Sequence, residues 1–463
     1  MTDPRSTPAA GRQDRQPPVR ELTRRILHPH AAGIDIGSER HYVAVPPECD
    51  PQPVRCFGCL TPDLQALAHW LKACGVDTAA LEATGVYWIP VAQVLEENGI
   101  DVYLVDARQA KNLPGRKTDV KDCQWLQELH SQGMLARAFR PPDAICVLRS
   151  YWRHRKGLVE RTAVQIQLMH KSLEQMNLQL HKVLSDVTGV TGLKIIRAIL
   201  KGERDPVALA QLKHPLVRSS EDTIAQALTG DWRAEHLFTL RQAVELYDVY
   251  QQKIEACDQE IEAYRKTLDS RGDPKDLPPA PRGTRRKNPA HFDLRERLYE
   301  ITGVDLTLLP GIDAMTAQTV VSECGTELSR FATEKHFSSW LGLCPNHEIS
   351  GGKVLRRRTR RVRNRAARAL RVAAQSLHKS KTALGAYYRR MRGRLGPAKA
   401  ITATAHKLAI LIYRMFRYGM EYVEQGQDLY EQQYQERTRR LLAKRVRQMG
   451  YGMVDLQTGE VVS

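Results

Sequence analysis

The chain has 463 residues, with 70 Lys and Arg against 52 Asp and Glu, a formal net charge of +18 and a pI of about 9.6. That length allows two to four domains at roughly 100–200 residues each, and an apolar content of 42% excludes a chain too polar to build a core. No apolar run reaches the roughly 18–20 residues that span a bilayer, and no apolar signal-peptide core stands at the start of the chain. Nine scattered Cys suit a reducing compartment better than a disulfide framework. A soluble, cytoplasmic protein is expected.

The positive charge is concentrated. Between Ile349 and Met420 there is no Asp or Glu, and 20 Lys and Arg fall in those 72 residues. The other 391 residues carry 50 basic against 52 acidic groups, so the excess belongs to one C-terminal segment. Such a segment calls for a polyanion: DNA, RNA or an acidic membrane face.

Residues 1–30, Pro-rich and polar, read as a disordered arm. From Ala31, GIDIGSERHYVAVPP predicts a strand, a tight turn at Gly37–Ser38 and a returning strand, with PVRCFGCL as a third strand. PDLQALAHWLKACG predicts a helix that starts at Pro62–Asp63 and stops at Gly75. DTAALEATG then reads as a strand, IPVAQVLEENG as a helix, IDVYLVDA as a strand and Thr118–Gly133 as a helix. This order makes an α/β domain with a mixed sheet over 31–142.

The middle region, 143–269, is helical. Val159, Ile166, Leu173 and Leu180, interleaved with Thr162, Met169, Met176 and Val183, form one heptad seam. Leu240, Tyr247, Ile254, Ile261 and Leu268 form a second. Both outlast a typical globular helix, which favours a protruding coiled-coil hairpin or dimerisation arm over a helix pair packed on a common core. Residues 270–291 read as a linker. Helical texture resumes over 292–425, broken at Pro310–Gly311, Pro345–Gly352 and Leu395–Pro397, and 426–463 reads as a loose tail.

Four acids of the first domain attract attention. Asp35 sits in an apolar strand, where a carboxylate is costly unless a cation meets it. Glu82 ends a later strand, and Asp119 and Asp122, three apart on a predicted helix, share one face. Brought to one sheet edge, four carboxylates suit hard divalent cations such as Mg²⁺ or Mn²⁺, and a metal pair about 4 Å apart suits phosphodiester cleavage. Acids at strand ends are also common in any α/β domain.

GIDIGSERHYVAV, LEATGVYW and VYLVDARQAKNLPGRKTDVKDCQWL, in that order, resemble the RNase H/RuvC-like nuclease domain of the DEDD transposases of bacterial insertion sequences. Piv-type DNA invertases share this pattern. The resemblance places the family's metal-binding tetrad on Asp35, Glu82, Asp119 and Asp122, with the basic run Lys111–Lys121 just before the last pair.

Two further motifs lie towards the C-terminus. LTLLPGIDAMTAQTVVSECG resembles a helix-hairpin-helix in which Gly311 lets backbone amides approach a phosphate; a packed helical turn reads the same way. In SSWLGLCPNHEISGGKVLRRRTRRVRNRAARALR, the resemblance matches Ser350 to the serine nucleophile of the family's C-terminal transposase domain. His347, Glu348 and Ile349 before it depart from the family's pattern. The glycines allow close approach to a phosphate, and Lys353, Arg356, Arg357 and Arg358 can hold its charge; the plainer reading is a Ser-Gly-Gly turn beside a basic helix. Arg360, Arg361, Arg363 and Arg365 extend the cationic run, which lacks the apolar face a membrane helix needs, so nucleic-acid backbone is the expected partner. Tyr387 and Tyr388 hint at base stacking, Cys56 and Cys59 lack a second pair at zinc spacing, and no P-loop or H-x-x-R motif occurs.

The expected architecture is therefore α/β plus all-α: an RNase H/RuvC-like domain (31–142), a helical coiled-coil region (143–269), and a mainly helical C-terminal transposase domain with a helix-hairpin-helix (292–425). The resemblance implies a nucleoid-associated DNA transposase/recombinase using Mg²⁺ or Mn²⁺ and a serine nucleophile. It also implies donor and target DNA, a structured guide (bridge) RNA, and a homo-oligomer between dimer and tetramer as partners. The competing readings are a junction-resolvase-like endonuclease with the same tetrad but no covalent step, and a non-catalytic nucleic-acid-binding protein.

Overall fold

A computed structural model of the chain describes residues 26–83, 85–106, 118–280, 289–360, 362–454 and 461–462. Most of the N-terminal arm, residues 111–117 of the basic run, part of the linker, Arg361 and residues 455–460 of the tail lie outside them. The chain divides into two compact units, with the boundary between Arg140 and Pro141.

The first unit is built on a five-stranded sheet: β1 (Ala31–Ile36), β2 (Arg40–Ala44), β3 (Val54–Gly58), β4 (Thr78–Glu82) and β5 (Asp101–Val105), in the order β3-β2-β1-β4-β5. β1 pairs antiparallel with β2 and parallel with β4, and β4 pairs parallel with β5. This mixed sheet fits an RNase H-like domain. Helix α1 (Thr61–Ala73) starts with Pro62 and an Asp63 carboxylate accepting from the Leu60 amide, then stops before Gly75, whose φ of +72° a side chain would resist. α1 and α2 (Trp88–Glu97) bury Leu67, Leu71, Val91 and Leu95 against Ile34, Val43 and Leu81 on one sheet face. Helix α3 (Asp119–Ser131) covers the other, packing Leu126 and Leu129 on Ala80 and Val105.

The second unit is dominated by two long helices, α4 (Asp143–Gln175) and α9 (Ala234–Arg265), lying antiparallel: Tyr264 meets Ala144, and Asp258 meets Arg155. On α9 the expected seam residues Leu240, Ile254 and Ile261 are buried, with Tyr247 half-buried and Leu268 beyond the helix end. On α4 the Thr162–Met169 line and Leu173 are buried, but Leu158 and Gln165 take the inner sites beside Val159 and Ile166, which are half-buried, and Ser172 is buried next to Leu173. Buried polar residues disguised that register. The Arg155–Asp258 pair, 2.5 Å from Nε to Oδ1 and almost wholly buried, ties the two helices together. The far end is capped by α5 (Leu180–Val183), α6 (Val190–Leu200), α7 (Pro206–Ala210) and α8 (Glu221–Ala227), which share one apolar cluster with the long helices.

The rest of this unit comprises α10 (Leu294–Thr302), α11 (Ala314–Cys324), α12 (Glu334–Trp340), the hairpin β6 (Pro345–Ser350) and β7 (Lys353–Thr359), α13 (Arg365–Ser376), α14 (Ala383–Leu395) and α15 (Pro397–Tyr418). α11 is buried along almost its whole length. The described ends of the linker are docked: Arg271 N donates to Glu300 O, Arg295 to Pro278 O and Arg155 to Pro289 O. The segment read as a tail is occupied instead by α16 (Met420–Gln448) and a short ribbon of β8 (Met453–Val454) with β9 (Val461–Val462). The basic segment also differs from its reading as one helix: Lys353–Thr359 is a strand and α13 starts only at Arg365.

Candidate active site

In the first unit, strand register assembles the acids. Ile34 and Leu81 are partners in the parallel pairing of β1 with β4, so Asp35 and Glu82 follow side by side at the C-terminal ends of adjacent strands, about 4.8 Å apart in backbone spacing. Residues two apart share a face. Gly33 faces α3 so closely that a Cβ would stand 2.2 Å from Gln127 N and 2.3 Å from Cys123 O, which puts Asp35 on the α3 side. Ala80 packs with Leu126 and Leu129, which puts Glu82 there too. Asp119 and Asp122 occupy the first turn of α3, where Thr118 caps the helix by accepting from the Lys121 amide and where negative charge is favoured. The buried Cys123 thiol is pushed up to about 12, by burial first and then by the charges of Asp35 and Asp122.

All four predicted acids therefore belong to one sheet edge and the adjoining helix turn. Among the described residues, no three His, Cys, Asp or Glu side chains stand close enough together to hold a metal ion. The backbone brings the carboxylates to a common side, and side-chain rotation would still be needed to close them on one cation. Their hard oxygen donors fit Mg²⁺ or Mn²⁺. Tyr42, the antiparallel partner of Asp35, shares its face and was missed; only strand register reveals it.

In the second unit, Ser350 ends β6 at the tip of an exposed hairpin. Gly351 and Gly352, with φ of +53° and +75°, form the two-residue turn, so both glycines are required by the turn itself. Ser350 pairs with Lys353 and Ile349 with Val354, but Glu348 then pairs with Arg356 and Asn346 with Arg358. The extra residue, Leu355, is a bulge. Cross-strand partners point to one face, so the bulge places Lys353, Arg356 and Arg358 all on the face of Ser350. Without it Lys353 would alternate away from the two arginines. Glu348, 3.3 Å from Arg356, shares that face. Arg357 is the backbone partner of His347. Arg360 donates to Ser339 O, whereas Arg363 and Arg365 are exposed.

Gly311, by contrast, is packed. At φ +83° its missing Cβ would stand 2.9 Å from Ala373 O of α13, and the Thr316 amide of the next helix is already taken by the Asp313 carboxylate. Tyr388 is a core residue edge-on to His378, while Tyr387 lies against Arg390. All nine cysteines are free thiols.

The comparisons with known proteins fall on the same segments. Residues 32–178, which span all four acids, match a family model described as Transposase, of the DEDD, IS110 type. Residues 305–389, which span Ser350 and the start of the acid-free segment, match the model described as Transposase IS116/IS110/IS902 family. No curated protein matches the chain. With one transposase match over the RNase H-like sheet and its carboxylates, and a second over the cationic hairpin, the chain belongs to the IS110-type DEDD transposases and is a DNA transposase/recombinase.

Proposed function

We propose that this insertion-sequence transposase cuts and rejoins DNA through Ser350, with Asp35, Glu82, Asp119 and Asp122 as the residues that would hold divalent metal. The observation that carries the proposal is the bulged hairpin, which gathers Lys353, Arg356 and Arg358 on the face of one exposed serine at a glycine turn. A serine hydroxyl is a weak nucleophile unaided. Beside three cations it is placed where a phosphodiester can be bound and its developing charge offset. In the step proposed, the Ser350 Oγ–P bond forms as the P–O bond to one deoxyribose breaks; the hydroxyl proton leaves and the released sugar oxygen takes one up. Attack by another strand's hydroxyl on the phosphoserine reverses the exchange and joins the new ends.

DEDD nuclease-type transposase domains generally use divalent metal. When bound, Mg²⁺ or Mn²⁺ would polarise the phosphate and lower the cost of the departing oxygen. The chain's own part is positional: Gly33 lets α3 lie on β1, and α3 holds Asp119 and Asp122 beside the strand ends that carry Asp35 and Glu82. Arg357, Arg360, Arg361, Arg363 and Arg365 extend the DNA-holding charge. The reading does not extend to Gly311, whose conformation serves packing. A guide RNA and assembly into a dimer or tetramer through the long helices complete the proposal.

The test is strand exchange on DNA carrying the element's ends, in Mg²⁺. Asp35→Ala and Ser350→Ala should each abolish exchange while leaving DNA binding within about threefold, because neither removes a cation. Full exchange by either variant would remove that residue from the mechanism.

A further inference from the structure

A cleft of about 360 Å³ opens within the second unit where α4, α11 and α13 meet. Its walls include Lys156 and Val159 of α4, Met315 and Thr319 of α11, and Arg368 and Val372 of α13. Among the described residues no carboxylate lines it. Arg155 at its base is committed to Asp258 and to Pro289 O, so its charge is already balanced. Lys156 and Arg368 have no ion-pair partner among the described residues. The polar floor is satisfied from within: Trp152 Nε1 donates to Thr319 Oγ1, which in turn donates to Met315 O. α13 buries Ala366, Ala367, Leu370 and Ala374 on its inner side, leaving Arg368 and Val372, one turn apart, beside the cleft.

The cleft thus offers two uncommitted cations and an apolar wall. A phosphate of a DNA duplex would satisfy the cations but leave that wall in water. An unpaired nucleotide brings both parts, a charged phosphate and the apolar face of a base. We propose that this cleft takes one unpaired nucleotide of a bound strand, its phosphate between Lys156 and Arg368 and its base against Val159, Met315 and Val372. The inference rests on the nucleic-acid reading above and adds to it a site that recognises a strand out of its duplex. DNA and RNA share the chemistry, so both are probed.

The experiment uses the full chain and fluorescence anisotropy with three labelled probes: an oligo-dT, an oligo-U of equal length and a blunt duplex. Arg368→Gln and Val372→Asp are exposed changes, and unaltered thermal melting would show that the fold is kept. Each should weaken one or both single strands by about tenfold, the scale of a lost base contact, while duplex affinity moves less than about threefold. The strand that suffers the larger loss identifies the source. Equal losses on single strands and duplex would reduce the cleft to part of a general basic surface and overturn the proposal, as would no loss on either single strand. Failure of the unaltered protein to bind any probe would overturn the nucleic-acid reading itself.

Discussion

Asp35 was legible in the sequence because a lone carboxylate in an apolar strand is expensive to bury and so calls for a reason. Tyr42 was not, since only the pairing of β1 with β2 puts it opposite Asp35. Gly33 reads as one more small residue in a Gly-rich strand until the backbone of α3 is found lying against it. His130 gave no signal either. It is buried, stacked on His28 at 4.9 Å, and hydrogen-bonded to Thr78, whose hydroxyl is given to Asp101 O. Burial, and then the His28 charge, lower its pKa from 6.5 to about 4. The folded state therefore prefers neutral His130, and its contribution is complete above about pH 6.5. As pH falls from 6.5 towards 4 the unfolded chain takes the proton first, so stability declines, by roughly 3 kcal/mol at most, and levels off below that. Urea unfolding followed across this range should show the loss in the unaltered protein and a flatter profile in His130→Phe.

The strands and helices of the first unit follow their sequence signals closely, because alternation, Pro at helix starts and Gly at helix ends all agree there. The hairpin is not legible in the sequence: three consecutive arginines interrupt the few β-branched residues, Ile349, Val354 and Thr359, and Pro345–Gly352 reads as a break in a helix. Of the α4 seam, the Thr162–Met169 line and Leu173 are buried as expected, and only Val159 and Ile166 yield their inner sites to the preceding residues, because Gln165 is a polar residue where an apolar one normally marks the core. The hairpin's phase makes a sharp prediction. Inserting one Ala between Glu348 and Ile349 supplies a partner for Leu355, regularises the ladder and turns Arg356 and Arg358 to the face opposite Ser350. No charge is lost, yet strand exchange should fall by at least about a hundredfold, the scale on which loss of an electrostatic contact to the reacting group is felt. Deleting Leu355 keeps the same cross-strand partners and should retain most activity. Equal activity in both variants would show that the shared face is irrelevant.

Over the whole molecule, composition located the partner class but not the site. The net charge of +18 resolves into one acid-free segment, and folding divides even that segment: Arg414 pairs with Glu334, Arg371 and Arg389 bond to backbone carbonyls, and the hairpin, the loop after it and α13 keep Arg358, Arg363, Arg365 and Arg368 exposed. Each cation that touches a phosphate contributes about 0.9 to the slope of log affinity against log salt. Changing Arg356 and Arg358 together to Gln should therefore lower that slope by about 2 for duplex DNA; an unchanged slope would place the DNA elsewhere. The central claim, a covalent step at Ser350, is tested most directly by trapping the reaction in Mg²⁺ on labelled element-end DNA, denaturing it, digesting with protease and sequencing the DNA-linked peptide by mass spectrometry. The account predicts a nucleotide remnant esterified to Ser350 and no linked peptide from Ser350→Ala. Cleaved DNA with no linked peptide, or a remnant on another residue, would contradict it.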